Sequence, residues 1–253
     1  KGKLDETVPA DQAITELAVL GGAFNDMTAN LRHSDQAKIA FISDVTHELR
    51  TPLTVLKGTI ETLQDAALDD HQAQETFLAS MSHETERLIR LVNELLLLTR
   101  ADAGALNLHL HTIDLALLIQ ERCTNLAHLA DQRQVRFALV KEDTTLQSEC
   151  WLVTADRDRT SQVLDNLLDN AIKYTRADGQ IKLKAHSQRD SIIIEILDTG
   201  IGISPMDQSR LFEKFYRSSQ PGSKEQRGAG LGLAIVKSII EKHGGSVRVE
   251  SQL

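Results

Sequence analysis

The tightest constraint in this sequence is a stripe of apolar residues advancing in steps of three or four: Ile42, Val45, Leu49, Leu53, Leu56, Ile60 and Leu63. That period is helical. At 3.6 residues per turn all seven fall within roughly 40° of Leu49. His47 and Thr51 come out about 160° away on either side, and Glu48 about 100° off. The pattern predicts a helix with a buried seam and a wet side shared by an imidazole, a carboxylate and a hydroxyl. Pro52 lacks the N–H that would bond the Glu48 carbonyl, and its ring crowds that carbonyl, so a kink or loosened turn is expected beside His47.

Helical texture extends in both directions. Ile14, Leu17, Leu20, Phe24, Met27 and Leu31 keep the same spacing upstream. No breaker separates them from the His47 segment, which predicts a nearly continuous rod to about Ala67. Leu68–His71 reads as a short turn. A second amphipathic helix follows, with Phe77, Met81, Leu88, Leu91, Val92 and Leu95 on one face, ending near Ala101. Two long helices on a tight connection cannot bury both stripes alone, so pairing with a second copy into a four-helix bundle is expected. Leu95–Leu98 is apolar all round, which suits either docking against another domain or a thicker local core. His83 reads as surface.

Beyond Ala101–Gly104 the texture becomes mixed helix and strand. Helices are expected over 115–132, 157–174 and 231–242. Strands are expected near 135–140, 150–155, 180–187, 191–197 and 246–251, with a hairpin across 188–190. That mixture predicts an α/β sandwich: one mixed sheet with helices on one face.

Composition narrows the chemistry. Of 253 residues, 41% are hydrophobic and 25% charged, as in soluble globular proteins. Aromatic residues make up 4% and the net charge is −8, which argues against nucleic acid as a partner. Cys123 and Cys150 show no metal-ligand spacing and read as core thiols.

Three patches of the second domain carry nucleotide chemistry. Asn166, Asn170 and Lys173 lie at i, i+4 and i+7 on one helix face. An amide oxygen from Asn170 fits Mg²⁺, and the Lys173 ammonium suits phosphate charge; on chemistry alone, a solvated polar face fits equally. Asp198-Thr-Gly200-Ile-Gly202 follows the apolar run Ile192–Leu197, placing a carboxylate at the end of a strand, where it can accept a hydrogen bond from an adenine amino group. Gly228-Ala-Gly230-Leu-Gly232 opens a helix, offering bare N–H groups to phosphate oxygens. Phe212–Arg217 and the loop 218–227, rich in Gly, Pro and Ser, lie between the last two patches, as a mobile lid would.

The run HELRTPLT at 47–54 resembles the phosphoacceptor segment of sensor histidine kinases of two-component systems. The three patches and the Phe212–Arg217 stretch, in order and spacing, resemble the N, G1, F and G2 boxes of the histidine-kinase ATPase domain, the Bergerat fold shared with gyrase-type ATPases. The resemblance implies an all-α helical hairpin, dimeric as a four-helix bundle, at 36–102, and an ATP-binding α/β sandwich at 105–253. Residues 1–35 are similar to part of a HAMP linker, notably Glu16-Leu17 and Ala23–Met27; a coiled-coil lead-in is the alternative. A HAMP linker implies a membrane segment upstream, and the chain as the cytoplasmic portion of a bacterial inner- or cell-membrane protein.

By that resemblance His47 accepts the γ-phosphoryl group of ATP, and the adjacent Glu48 can take the other ring proton as general base. The group then passes to an aspartate on a response-regulator receiver domain. Thr51 matches the position that orients water for the reverse, phosphatase reaction. Asn170 holds Mg²⁺, while Asn166 and Lys173 assist at the phosphates and Tyr174 flanks the nucleotide. Asp198 reads adenine in a pocket shaped by Gly200 and Gly202. Phe212 and Phe215 anchor the lid, Arg217 reaches the terminal phosphate, and Gly228, Gly230 and Gly232 line the lid's end. The family continues through a glycine turn into a final strand, so the strand near 246–251 is expected to lack a partner. Two other classes compete: a pseudokinase scaffold, and a conformational ATPase of the gyrase or chaperone type.

Overall fold

The computed structural model describes residues 15–65, 71–140, 151–188, 191–218 and 228–253. The chain divides into two compact units between Leu88 and Ile89.

The first unit contains helix α1 (Thr15–Asp65) and the opening turns of α2 (His71–Asp102). The helix runs through Pro52 without interruption, and Pro52 itself is buried. Hydroxyls of Thr46, Thr54, Thr59 and Thr62 each donate to the carbonyl four residues back, at 2.7 to 2.9 Å. The expected turn at Leu68–His71 falls mostly outside the described residues, although α2 already begins at His71.

The seam is not buried within one chain. Ile42 is 63% exposed, Leu53 54% and Ile60 40%, whereas Val45, Leu49, Leu56 and Leu63 are half-buried. A single hairpin offers too little apolar surface to cover both stripes.

The second unit takes the remaining turns of α2, whose Leu91, Leu97 and Leu98 are buried while Leu96 stays half-exposed. Next come β1 (His111–Asp114), α3 (Leu115–Gln132), β2 (Arg136–Val140), β3 (Leu152–Ala155), α4 (Arg157–Tyr174), β4 (Gln180–Gln188), β5 (Ser191–Asp198), α5 (Pro205–Gln208) and α6 (Gly232–Lys242).

Local chemistry sets the helix starts. Asp114 caps α3, accepting from Ala116 N and Leu117 N at 3.0 and 3.3 Å. Asp156 caps α4, accepting from Arg159 N at 3.0 Å, while its second oxygen accepts from His109 N at 2.9 Å. The Asp156 N–H donates to His243 Nε2 at 3.0 Å, tying the start of α4 to the end of α6.

The described strands form two sheets rather than the single mixed one expected. β2, β4 and β5 form one, with β2 parallel and β5 antiparallel to β4. β1 and β3 pair antiparallel, with Ile113 opposite Val153. β1 went unread in the sequence because its four residues carry one apolar side chain, and it takes β3 away from the larger sheet.

The core lies between α3, α4 and one face of that sheet. Leu118, Ile119, Cys123, Leu164 and Leu168 meet Leu183 and Ala185 of β4 there, with Ile192, Ile194 and Ile196 of β5 packed alongside. Fully burying one such leucine contributes about 1.5–3 kcal/mol.

The expected strand at 246–251 does not form. Ser251 is instead held by side-chain bonds: its Oγ accepts from Ile203 N at 3.0 Å, and its carbonyl accepts from Gln208 Nε2 at 2.9 Å. Those bonds replace a ladder and lay the tail against the loop after β5.

Candidate active site

In the first unit, His47 is exposed on α1, and Thr51, one turn on, is exposed as well. The Thr51 hydroxyl donates to the His47 carbonyl at 3.4 Å, leaving the imidazole outside that bond. Glu48 is half-buried and faces α2, where Arg87 Nη2 lies 3.7 Å from its carboxylate. Arg87 Nη1 is also 3.3 Å from Glu84, a buried carboxylate one turn back on α2. Arg87 escaped the sequence reading because its pairing with Glu48 spans the hairpin. The exposed His83 beside them fits the surface reading.

In the second unit, α4 holds the polar face. Asn166 and Asn170 are half-buried, and the buried Nδ2 of Asn166 has no hydrogen-bond partner among the described residues. The Asn166 amide faces Gly232, where an added Cβ would stand 3.3 Å from Oδ1. Lys173 pairs with Asp169 one turn back on α4. Burial pushes the Glu94 carboxyl of α2 above its ordinary range, opposed by the charges of Lys173 and Arg90. Arg90, Glu94, Arg122, Asp165 and Asn166 line a cleft of about 460 Å³ on this side of α4.

The loop after β5 closes onto the end of α4. Asp198 is exposed, and its Oδ1 accepts from Gly200 N at 2.8 Å. Ile201 N donates to the Tyr174 carbonyl at 3.2 Å. A Cβ on Gly200 would meet that carbonyl oxygen at 2.7 Å, so a glycine is required by contact alone. Gly202 has φ +71°, and its would-be Cβ lies 2.1 Å from the Gln252 carbonyl oxygen.

Phe212 and Phe215 are half-buried and Arg217 is exposed. Residues 219–227 of the expected lid lie outside the described residues. Gly228 is exposed, with open space where a side chain would go. Gly230 seats its backbone against Phe215 and Tyr216, with 2.8 Å to each from an added Cβ. Gly232 opens α6, whose first turn receives no side-chain cap from the described residues. A helix start without a side-chain cap offers N–H groups and a dipole end of the kind phosphate binds.

These residues fit a magnesium nucleotide. The orphaned Asn166 donor, the glycine-lined start of α6 and the exposed Asp198 carboxylate are groups of the kind that phosphate and a purine amino group pair with. Among the described residues no group of three acidic, His or Cys side chains could hold a metal. The Asn170 amide oxygen is a donor of the kind that Mg²⁺, a hard ion, accepts.

Residues 37–104 match the family described as His Kinase A (phospho-acceptor) domain. Residues 155–253 match the family of histidine kinase-, DNA gyrase B- and HSP90-like ATPases. The chain is 37% identical over 235 residues to Sensor protein SrrB of Staphylococcus aureus (strain MRSA252), covering 90% of this chain and 38% of SrrB. It therefore spans about two fifths of the length of that relative.

Among solved structures, histidine kinase AdeS of Acinetobacter baumannii superposes with TM-score 0.63 at 29% identity, over 81% of this chain and 91% of AdeS. Full-length ShkA in complex with AMPPNP gives 0.59 at 27% identity, over 84% of this chain and 44% of ShkA. Among the described residues no helix is long and apolar enough to cross a membrane. With a phosphoacceptor domain followed by an ATPase domain of this kind, the chain belongs to the sensor histidine kinases.

Proposed function

We propose that the chain is an ATP-dependent protein-histidine kinase that phosphorylates itself on His47. The observation that carries this reading is the exposed imidazole of His47 beside Glu48, on the same chain as a glycine-walled site with an orphaned amide donor at Asn166. A ring nitrogen of His47 attacks the γ-phosphorus in line, the N–P bond forms as the bond to the β–γ bridging oxygen breaks, and ADP leaves. The proton on the other ring nitrogen passes to the Glu48 carboxylate as that ring turns cationic. Mg²⁺ at Asn170 would neutralise phosphate charge. Asn166, Lys173 and the α6 N-terminus bind the phosphates, Arg217 reaches the terminal one, and Asp198 fixes adenine beside Tyr174.

The phosphoryl group then passes to an aspartate of a response-regulator receiver domain, and Thr51 orients water when the reaction runs in reverse. Exposed Ile42, Leu53 and Ile60 support a homodimer whose second copy covers the seam. In the proposed division, residues 1–35 are a HAMP-type lead-in, 36–102 the dimerisation and phosphoacceptor domain, and 105–253 the ATP-binding domain. The whole protein would meet the membrane through a segment preceding Lys1.

The test uses the 253-residue chain with γ- and α-labelled ATP. Label from the γ position alone, in an acid-labile and base-stable protein adduct, is expected. Release of free phosphate without an adduct would mean a conformational ATPase instead.

A further inference from the structure

Asp207 is a buried carboxylate that the chemistry above does not use. It is 9% exposed and sits in α5, whose capping residue Ser204 accepts the Asp207 N–H at 3.1 Å. Its two oxygens take separate donors from one short stretch of chain. The Tyr216 hydroxyl donates to Oδ1 at 2.5 Å and the Ser218 hydroxyl to Oδ2 at 2.7 Å. Those two bonds, Tyr216's the stronger, hold the carboxyl below the usual carboxylate range. The residue between the two donors is Arg217.

Burial alternates across the stretch: Tyr216 and Ser218 are half-buried and Arg217 is exposed. With both neighbours drawn to one carboxylate, the exposed Arg217 stands between two anchored residues. The same stretch is gripped from a second direction. The Arg210 guanidinium lies over the Tyr216 ring, 4.4 Å from its centre, and is bonded to Glu213 at 2.9 and 3.0 Å. Phe215 holds φ +59° beside Gly230, in contact with the glycine segment. A long, flexible arginine serves a substrate only when its root is fixed, since the ordering cost then falls before binding.

We propose that Asp207 is the positioning residue for Arg217, clamping the residues on both sides of it so that the guanidinium meets the terminal phosphate of ATP. This rests on the reading of Arg217 given above. Asp207 itself touches no substrate. Its contribution is therefore confined to nucleotides that carry a γ-phosphate.

The experiment measures ATP and ADP affinity for the whole chain carrying Asp207→Asn, Arg217→Ala, or both. An asparagine keeps one acceptor oxygen and loses one of the two bonds. ATP affinity is expected to fall roughly tenfold, with ADP affinity unchanged. Arg217→Ala should show the same selective loss, and the double variant should be no worse than Arg217→Ala alone. If Asp207→Asn does not fold, Tyr216→Phe and Ser218→Ala each remove one donor and should give a smaller, still ATP-selective loss. Equal losses for ATP and ADP, losses that multiply in the double variant, or an Arg217→Ala variant that binds both nucleotides normally would each overturn the assignment. Wild-type chain that acquires no phosphohistidine, while the ATP-selective loss persists, would defeat the kinase reading and leave Asp207 in its role.

Discussion

Arg87 Nη2 on α2 lies 3.7 Å from a carboxylate oxygen of Glu48 on α1, the residue that follows His47. The same guanidinium holds Glu84, which is 6% exposed, at 3.3 Å. A buried carboxylate stripped of its partner retains its desolvation cost. Arg87→Ala is therefore expected to destabilise the stalk by about 1–3 kcal/mol in urea unfolding at fixed protein concentration. Stability unchanged by that substitution would mean the pair contributes nothing.

Asn166 offers the opposite signature. Its Nδ2 is buried without a partner among the described residues, so removing it deprives folding of little. Asn166→Ala should unfold within about 0.5 kcal/mol of wild type while ATP affinity drops roughly tenfold. A thermal-shift series read with and without nucleotide separates the two effects. Lost stability with intact binding would contradict the assignment of that donor to phosphate.

The fold was legible wherever one helix or strand carries its own pattern. α3 starts where Asp114 stands just before the apolar run Leu115–Ile119, and Asp114 and Asp156 both act as caps. β4 alternates visibly, with Ile181, Leu183 and Ala185 buried. What no period encodes was missed. Val247 and Val249 alternate with polar residues as a strand would, yet side-chain bonds at Ser251 claim that tail. The nucleotide patches were read as residue types, whereas the clamp of Asp207 on Tyr216 and Ser218 joins residues 9 and 11 apart around an irregular turn. Arg87 and Glu48 belong to different helices, and only the folded hairpin brings them together.

Cys123 supplies the pH dependence. Burial pushes its thiol up to about 11, above the range of a thiol in an unfolded chain. A raised folded value favours the protonated native form, so this contribution is complete below about pH 8.5 and is lost as pH rises toward 11. With Cys150→Ser removing the other thiol, a thiol reagent at pH 8 should label Cys123 only as fast as the second unit opens. Immediate labelling of native protein would contradict its enclosure.

The central claim is that the outward-facing imidazole of His47 receives the γ-phosphoryl group. The most direct measurement is site mapping of the phosphorylated chain after incubation with Mg·ATP, run beside His47→Gln. The account predicts one acid-labile phosphohistidine at His47, and no adduct in a His47→Gln chain that still folds and binds ATP. Phosphate found at His83 or any other residue, or an adduct that survives in His47→Gln, would contradict it.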